Sequence, residues 1–252
     1  MEPVRRFPGA APAIVALHGF TQHGGMFEEL AAHLPWQVDA PDLPGHGAAG
    51  AVPPVFDSAV KSVARMVGHR PLLGYSQGGR VALGVAVEYP RSVSHLILVS
   101  SGPGIADPGL RRDRLKSDAV LADRIESEGL EPFIDMWLDQ PLFDGLRRRG
   151  SEWCERDRKL RLDNSAAGLA AALRGMGQGS QPYFGDRLGE LQMPVLVVAG
   201  ALDAAYVATG TRIASAAPHG MLVTVEGAGH AVIGEAPDKV ADEVGRFLVG
   251  SG

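Results

Sequence analysis

Short apolar runs recur along the chain, each closed by glycine or a polar turn: Ala13–Leu17, Val38–Ala40, Pro71–Leu73, Leu96–Val99, Val195–Ala199 and Leu222–Val225. Together they are rich in Val, Ile and Leu and lack a sustained apolar–polar alternation. That pattern predicts strands buried on both faces, as in a parallel sheet covered by helices. Between them lie stretches of helical character, among them Gly79–Glu88 and Pro237–Leu248. Strands alternating with helices predict a doubly wound α/β domain whose site lies at the carboxyl ends of the strands.

The rhythm breaks between residues 104 and 186. Charged amphipathic patterns replace the buried runs there, over Pro108–Glu128, Glu131–Leu138, Leu146–Leu162 and Ser165–Leu173. The expected organisation is a core formed by 1–103 and 187–252, with 104–186 inserted as a helical cap over the active site. Only twelve residues precede Ala13, so any strands ahead of it are expected to be short or missing.

Composition narrows the class. A chain of 252 residues is long enough for one large domain or a core with a lid. Its formal net charge of −5 argues against nucleic acid or an anionic membrane as the main partner. Lysine occurs only at Lys61, Lys116, Lys159 and Lys239, so anions meet mostly arginine. The single cysteine, Cys154, allows no intrachain disulfide and fits a reducing cytoplasm. No apolar stretch follows Arg5-Arg6, so no secretory signal is expected, and the longest apolar runs fall short of a membrane span. The expectation is a cytoplasmic protein acting on a small molecule, with its oligomeric state left open.

Candidate chemistry begins at Gly74-Tyr75-Ser76-Gln77-Gly78-Gly79. This G-x-S-x-G segment follows a strand run and precedes a helix, the context a nucleophile elbow requires. A serine hydroxyl needs a base, so an acid and then a histidine are expected later in the chain. Asp203 follows the run Val195–Ala199, and His230 follows Leu222–Val225. Ser76, Asp203 and His230 are therefore the candidate triad. Phe20, in His18-Gly19-Phe20 after the first run, and Gln77 are the candidate N–H donors of an oxyanion hole. His18, Asp42 and His46 are read as structural.

Two arginines stand out. Arg80 lies one helical turn beyond Ser76 among Val81, Ala82, Leu83, Val85 and Ala86. A charge on such a buried helix needs an anion, either a protein carboxylate or a substrate carboxylate. On the helix predicted from Pro108, Leu110, Arg114, Leu121 and Ile125 fall in one stripe, which places Arg114 inward unless it snorkels from the edge of that face.

Gly-Tyr-Ser-Gln-Gly-Gly-Arg, His-Gly-Phe, Asp-Leu-Pro-Gly-His-Gly, Arg-Arg-Asp-Arg-Leu-Lys-Ser-Asp and Trp-Leu-Asp-Gln-Pro-Leu-Phe together carry a resemblance. The pattern resembles the α/β-hydrolase superfamily. Within it, the chain is similar to the 2-succinyl-6-hydroxy-2,4-cyclohexadiene-1-carboxylate synthase family of menaquinone biosynthesis over residues 13 to about 240. The resemblance implies an α/β-hydrolase fold, a mostly parallel doubly wound sheet with an inserted helical cap. It implies a lyase that eliminates pyruvate, with Ser76, Asp203 and His230 as the triad. Tyr75, Arg80, Arg114, Trp137 and Arg161 match positions that hold the multi-carboxylate substrate; Arg156, Arg158 and Arg174 offer competing alignments for Arg161. No cofactor or metal is implied. The alternative is a serine hydrolase, a carboxylesterase or C–C hydrolase, of an acidic substrate.

Overall fold

The computed structural model describes residues 4–250. Seven strands form one sheet: β1 (Val4–Phe7), β2 (Ala10–Leu17), β3 (Trp36–Pro41), β4 (Arg70–Tyr75), β5 (Val93–Val99), β6 (Val195–Gly200) and β7 (Gly220–Val225). Their order is β1-β3-β2-β4-β5-β6-β7. All neighbours from β3 to β7 run parallel, and the edge strand β1 is antiparallel to β3. Each apolar run read in the sequence lies within a strand. β1 is the short amino-terminal strand, four residues with no apolar run of its own.

Alternate side chains of the central strands feed two cores. Leu96 and Leu98 of β5 point into one, with Val15, Leu72, Val195 and Val197. Ile97 and Val99 point into the other, with Ile14, Leu73, Leu196 and Val198. Helices α2 (Phe56–Val67), α3 (Gln77–Glu88) and α8 (Ala204–Ala216) cover the first core. Helices α1 (Glu28–Ala32) and α10 (Pro237–Gly250) cover the second. Sequence shows why α2 docks: Phe56, Val60, Val63 and Val67 recur at helical spacing and are buried, and Gly68 ends the helix at φ 54.

The connections place the site. From β2 the chain moves to β3 on one side, then returns to β4 on the other side of β2. The strand order therefore reverses between β2 and β4, where open α/β sheets leave a crevice at the strand ends. His18–Phe20 follows β2 and Ser76 follows β4, so both flank that crevice.

Between β5 and β6 the chain leaves the sheet and forms α4 (Pro108–Glu128), α5 (Leu130–Leu138), α6 (Ser151–Leu162) and α7 (Ala166–Met176). These helices share an apolar cluster of Ala122, Ile125, Phe133, Ile134, Leu169, Ala170 and Leu173, against which Phe20 of the core packs. Two details depart from expectation. The stretch Leu146–Leu162 is helical only from Ser151, after a 3₁₀ run over Pro141–Arg149 that Gly150 closes at φ 87. On α4 the buried positions are Asp118, Ala122 and Ile125, whereas Leu110 is 65% exposed. Buried side chains such as Ile125 contribute about 1.5–3 kcal/mol each, and an exposed leucine little. The far end of α4 thus holds the helix down, while its first turns project beyond the core. A short helix, α9 (Val232–Glu235), follows the His230 loop. Among the described residues no helix is long and apolar enough to cross a membrane.

Candidate active site

Ser76 adopts φ 49, ψ −109 at the junction of β4 and α3. A non-glycine residue there costs on the order of 1–3 kcal/mol unless its surroundings over-determine it. They do: the Ser76 N–H donates to Val99 O at 2.9 Å, and its carbonyl accepts from Ser101 Oγ at 2.9 Å. The flanking glycines make the turn passable. A Cβ on Gly74 would lie 2.5 Å from Gly78 O, and one on Gly78 would run into the Leu17 carbonyl. Strand β4, helix α3 and strand β2 thus approach so closely that only glycine fits.

The loops after β6 and β7 bring the other two residues to the serine. His230 Nδ1 lies 2.8 Å from Asp203 Oδ2, and Nε2 lies 3.4 Å from Ser76 Oγ. An ionised carboxylate only accepts, so Nδ1 carries the proton and Nε2 faces the hydroxyl as an acceptor. Burial pushes the Asp203 carboxyl up, but the hydrogen bond and charge of His230 outweigh it and hold the group below its ordinary range. Asp203 Oδ1 also accepts from the N–H of Tyr206 at 3.2 Å, capping α8. The arrangement can pass a proton from a substrate through Ser76 to His230, or activate Ser76 as a nucleophile.

Gln77 is the first residue of α3, so its N–H has no acceptor within that helix. Phe20 and Ser76 line the same cavity. His18 takes the Leu43 N–H at 2.9 Å, and its ring stands edge-on to His46. Burial drives His46 down to about 4 and His18 well below the usual imidazole value, so both are neutral. Asp42 accepts from Gly24 N at 2.8 Å and Ala48 N at 2.9 Å. These three side chains hold loops, as their sequence context suggested.

A cavity of about 830 Å³ opens above Ser76 and His230, with Arg80, Arg114, Trp137 and Tyr206 on its walls. Arg80 donates to the Met176 carbonyl at 3.1 Å and has no carboxylate within ion-pair distance among the described residues. Burial lowers its guanidinium to about 10, which leaves it charged at neutral pH. Arg114 is committed differently: Nε donates to Asp118 at 2.7 Å and Nη1 to Gln178 at 2.6 Å. Its side chain is 42% exposed, so it reaches the cavity from the rim. The indole N–H of Trp137 is buried without a hydrogen-bond partner among the described residues.

Tyr75 and Arg161 lie on the other side of the serine, around a small cavity shared with Ser76, His230 and Trp137. Arg161 is 1% exposed, and its Nε donates to Asp157 at 2.8 Å and its Nη1 to Thr21 Oγ1 at 2.5 Å. Its rivals in the sequence point elsewhere. Arg156 pairs with Glu29, Arg158 with Glu131 and Asp135, and Arg174 with Asp123 and Glu126. Sequence reasoning did not single out Asp118, Gln178 or Tyr206. The i,i+4 spacing to Arg114 pointed to Asp118, and proximity to Asp203 pointed to Tyr206; nothing local pointed to Gln178. Among the described residues no group of three or more His, Cys, Asp or Glu is placed to hold a metal ion.

Known proteins share this architecture. The sequence profile of the alpha/beta hydrolase family matches residues 14–243. A Bacillus subtilis (strain 168) protein named as a candidate 2-succinyl-6-hydroxy-2,4-cyclohexadiene-1-carboxylate synthase is 36% identical, over 96% of this chain and 92% of that protein. The Serratia proteamaculans (strain 568) protein named for the same synthase is 33% identical, over 96% and 94%. Among solved structures, MenH from S. aureus superposes with a TM-score of 0.94 at 28% identity, covering 100% of this chain and 99% of that one. An esterase from Thermogutta terrifontis, solved with malate bound, gives a TM-score of 0.84 at 25% identity, covering 99% and 93%. The chain belongs to the α/β-hydrolase family and, within it, to the 2-succinyl-6-hydroxy-2,4-cyclohexadiene-1-carboxylate synthases.

Proposed function

We propose that this enzyme eliminates pyruvate from 2-succinyl-5-enolpyruvyl-6-hydroxy-3-cyclohexene-1-carboxylate to give 2-succinyl-6-hydroxy-2,4-cyclohexadiene-1-carboxylate. The observation that carries the reading is Arg80: a charged, half-buried side chain beside the Ser76–His230 pair with no carboxylate within ion-pair distance among the described residues. A buried charge left unpaired is costly, so the cavity is built for an anion that arrives with the substrate. Relatives named for this synthase supply the identity of that anion.

In this reading His230, acting through Ser76, takes the proton from ring carbon 2, which is acidified by the adjacent succinyl ketone. The freed electron pair forms the 2,3 double bond. The former 3,4 pair moves to the 4,5 position, and the bond from carbon 5 to the enolpyruvyl oxygen breaks. Pyruvate leaves as its enolate and is protonated to the keto acid. Asp203 holds the imidazole tautomer and stabilises the imidazolium. The N–H groups of Phe20 and Gln77 would receive the charge that develops on the ketone oxygen. Arg80, with Arg114, Trp137, Tyr75 and Arg161, would hold the carboxylates and the ring. The division into a core of 1–103 and 187–252 and a cap of 104–186 belongs to the same reading, since α4 and α5 supply Arg114 and Trp137 to the cavity.

The elbow geometry and the likeness to an esterase favour a second reading, hydrolysis with Ser76 as nucleophile. Incubation with the enolpyruvyl substrate, with pyruvate release followed beside hydrolysis of a neutral aryl ester, separates the two. Pyruvate from wild type and none from Ser76→Ala is expected. Brisk ester turnover without pyruvate would replace the lyase by the hydrolase.

A further inference from the structure

Tyr206 stands in the first turn of α8, three residues beyond Asp203. Its ring packs against the His230 imidazole, with centroids 4.6 Å apart and planes inclined at 58°. The same side chain lines the 830 Å³ cavity together with Arg80, Arg114 and Ser76. It also lines an adjoining cavity of about 630 Å³, and among the described residues the two cavities share only Tyr206 and Gln178. Tyr206 therefore forms part of the partition that closes the active cavity on this side. Its hydroxyl makes no hydrogen bond to protein among the described residues.

The chemistry around that hydroxyl is cationic. Arg80 and Arg114 both lie close enough to pull the phenol towards ionisation, and Asp203 opposes them. Burial outweighs these charges and raises the phenol above its ordinary value, so it remains a neutral O–H donor. Each arginine has spent part of its fork, Arg80 on Met176 O and Arg114 on Asp118 and Gln178. A carboxylate offers about four lone-pair sites, enough for a bidentate arginine and a further O–H donor.

We propose that Tyr206 is a substrate-binding residue whose phenol O–H donates to a substrate carboxylate held by Arg80 and Arg114, selecting substrates with an anionic group at this end of the cavity. Because its ring also touches His230, Tyr206 sets the spacing between the anchored carboxylate and the base. The arginines attract the anion at long range, and the uncharged phenol accepts it only in the correct place. The inference rests on the multi-carboxylate reading above.

The test compares wild type with Tyr206→Phe, which keeps the ring and removes one oxygen. Steady-state pyruvate release should show KM raised by about 10–100-fold, the range for losing a hydrogen bond to a charged group, with a smaller change in kcat. Calorimetric titration with tricarballylate, a simple tricarboxylate, should weaken in parallel, while the thermal midpoint stays at the wild-type value. Equal KM and equal tricarballylate affinity in Tyr206→Phe would overturn the proposal. So would a lowered thermal midpoint with kcat and KM damaged together, which marks a packing role, or failure of wild type to bind tricarballylate. The titration does not depend on turnover. Tricarballylate bound by wild type and lost in Tyr206→Phe, with no pyruvate formed, would retire the lyase reading and keep Tyr206 as a carboxylate ligand.

Discussion

Arg80, one helical turn below Ser76, donates to the carbonyl oxygen of Met176 at 3.1 Å, so its hydrogen-bond partner among the described residues is a neutral dipole. The carbonyl fixes the direction of the guanidinium without cancelling its charge. Arg80→Ala should therefore lower kcat/KM for the enolpyruvyl substrate by about 2–5 kcal/mol, the range for truncating one member of a buried charge pair. Arg80→Lys should restore part of that loss, since it keeps the charge and gives up the fork. The check is pyruvate release across substrate concentration for the three proteins. An Arg80→Ala enzyme of undiminished kcat/KM would show that no substrate anion sits there.

Arg114 should behave differently because it neutralises Asp118. That carboxylate is 2% exposed and also accepts from Gly179 N at 3.1 Å. Arg114→Ala leaves it buried with its cation gone. Arg114 itself is partly solvated, so the loss is expected at about 1–3 kcal/mol rather than the larger values of fully buried pairs. Urea midpoints should fall for Arg114→Ala and hold for Arg80→Ala. Equal stability of the two variants would mean that the Asp118 pair contributes nothing to the fold.

Asp203→Asn should cut pyruvate release by on the order of 10²–10⁴-fold with little change in thermal midpoint. The amide can donate to Nδ1, which moves the imidazole proton to Nε2, the atom that must accept from Ser76. The Tyr206 cap accounts for the retained stability, since an asparagine carbonyl still accepts that N–H. A variant at more than a tenth of the wild-type rate would remove Asp203 from the proton relay.

Stability should fall on acidification below neutral pH through the buried histidines. His46 titrates near 4 in the fold because burial disfavours its cation, while an unfolded histidine titrates near ~6.5. Between those values the unfolded chain binds the extra proton. The fold therefore has its full stability above ~6.5 and loses it as pH falls towards 4, by about 3 kcal/mol for this residue. His18 acts in the same direction. Urea midpoints between pH 7.5 and 4.5 test this, and His46→Gln should flatten the dependence. An identical slope in that variant would assign the acid sensitivity elsewhere.

What the sequence determined by itself follows from local rules. Ser76, Asp203 and His230 were legible because each lies just past an apolar run, and strand ends in a parallel sheet share one edge. The glycines around Ser76 were legible because the elbow they permit is a property of a few consecutive residues. The small edge strand β1 was not, since Val4–Phe7 carries no buried run and gains its place by pairing with β3.

Tertiary structure decided how the arginines are used. Arg80, Arg114 and Arg161 look alike in sequence, yet one meets a carbonyl, one a buried aspartate from the rim, and one is enclosed with Asp157 and Thr21. Helical periodicity placed Leu110 inward with Arg114, but the fold provides no core beneath that turn, and Leu110 stands in solvent. Periodicity fixes which side chains share a face; only the packed neighbours fix whether anything lies against it. Tyr206 and Gln178 reach the cavity for the same reason. Its wall is assembled from segments far apart in the chain, and their meeting is a result of packing that no local pattern encodes.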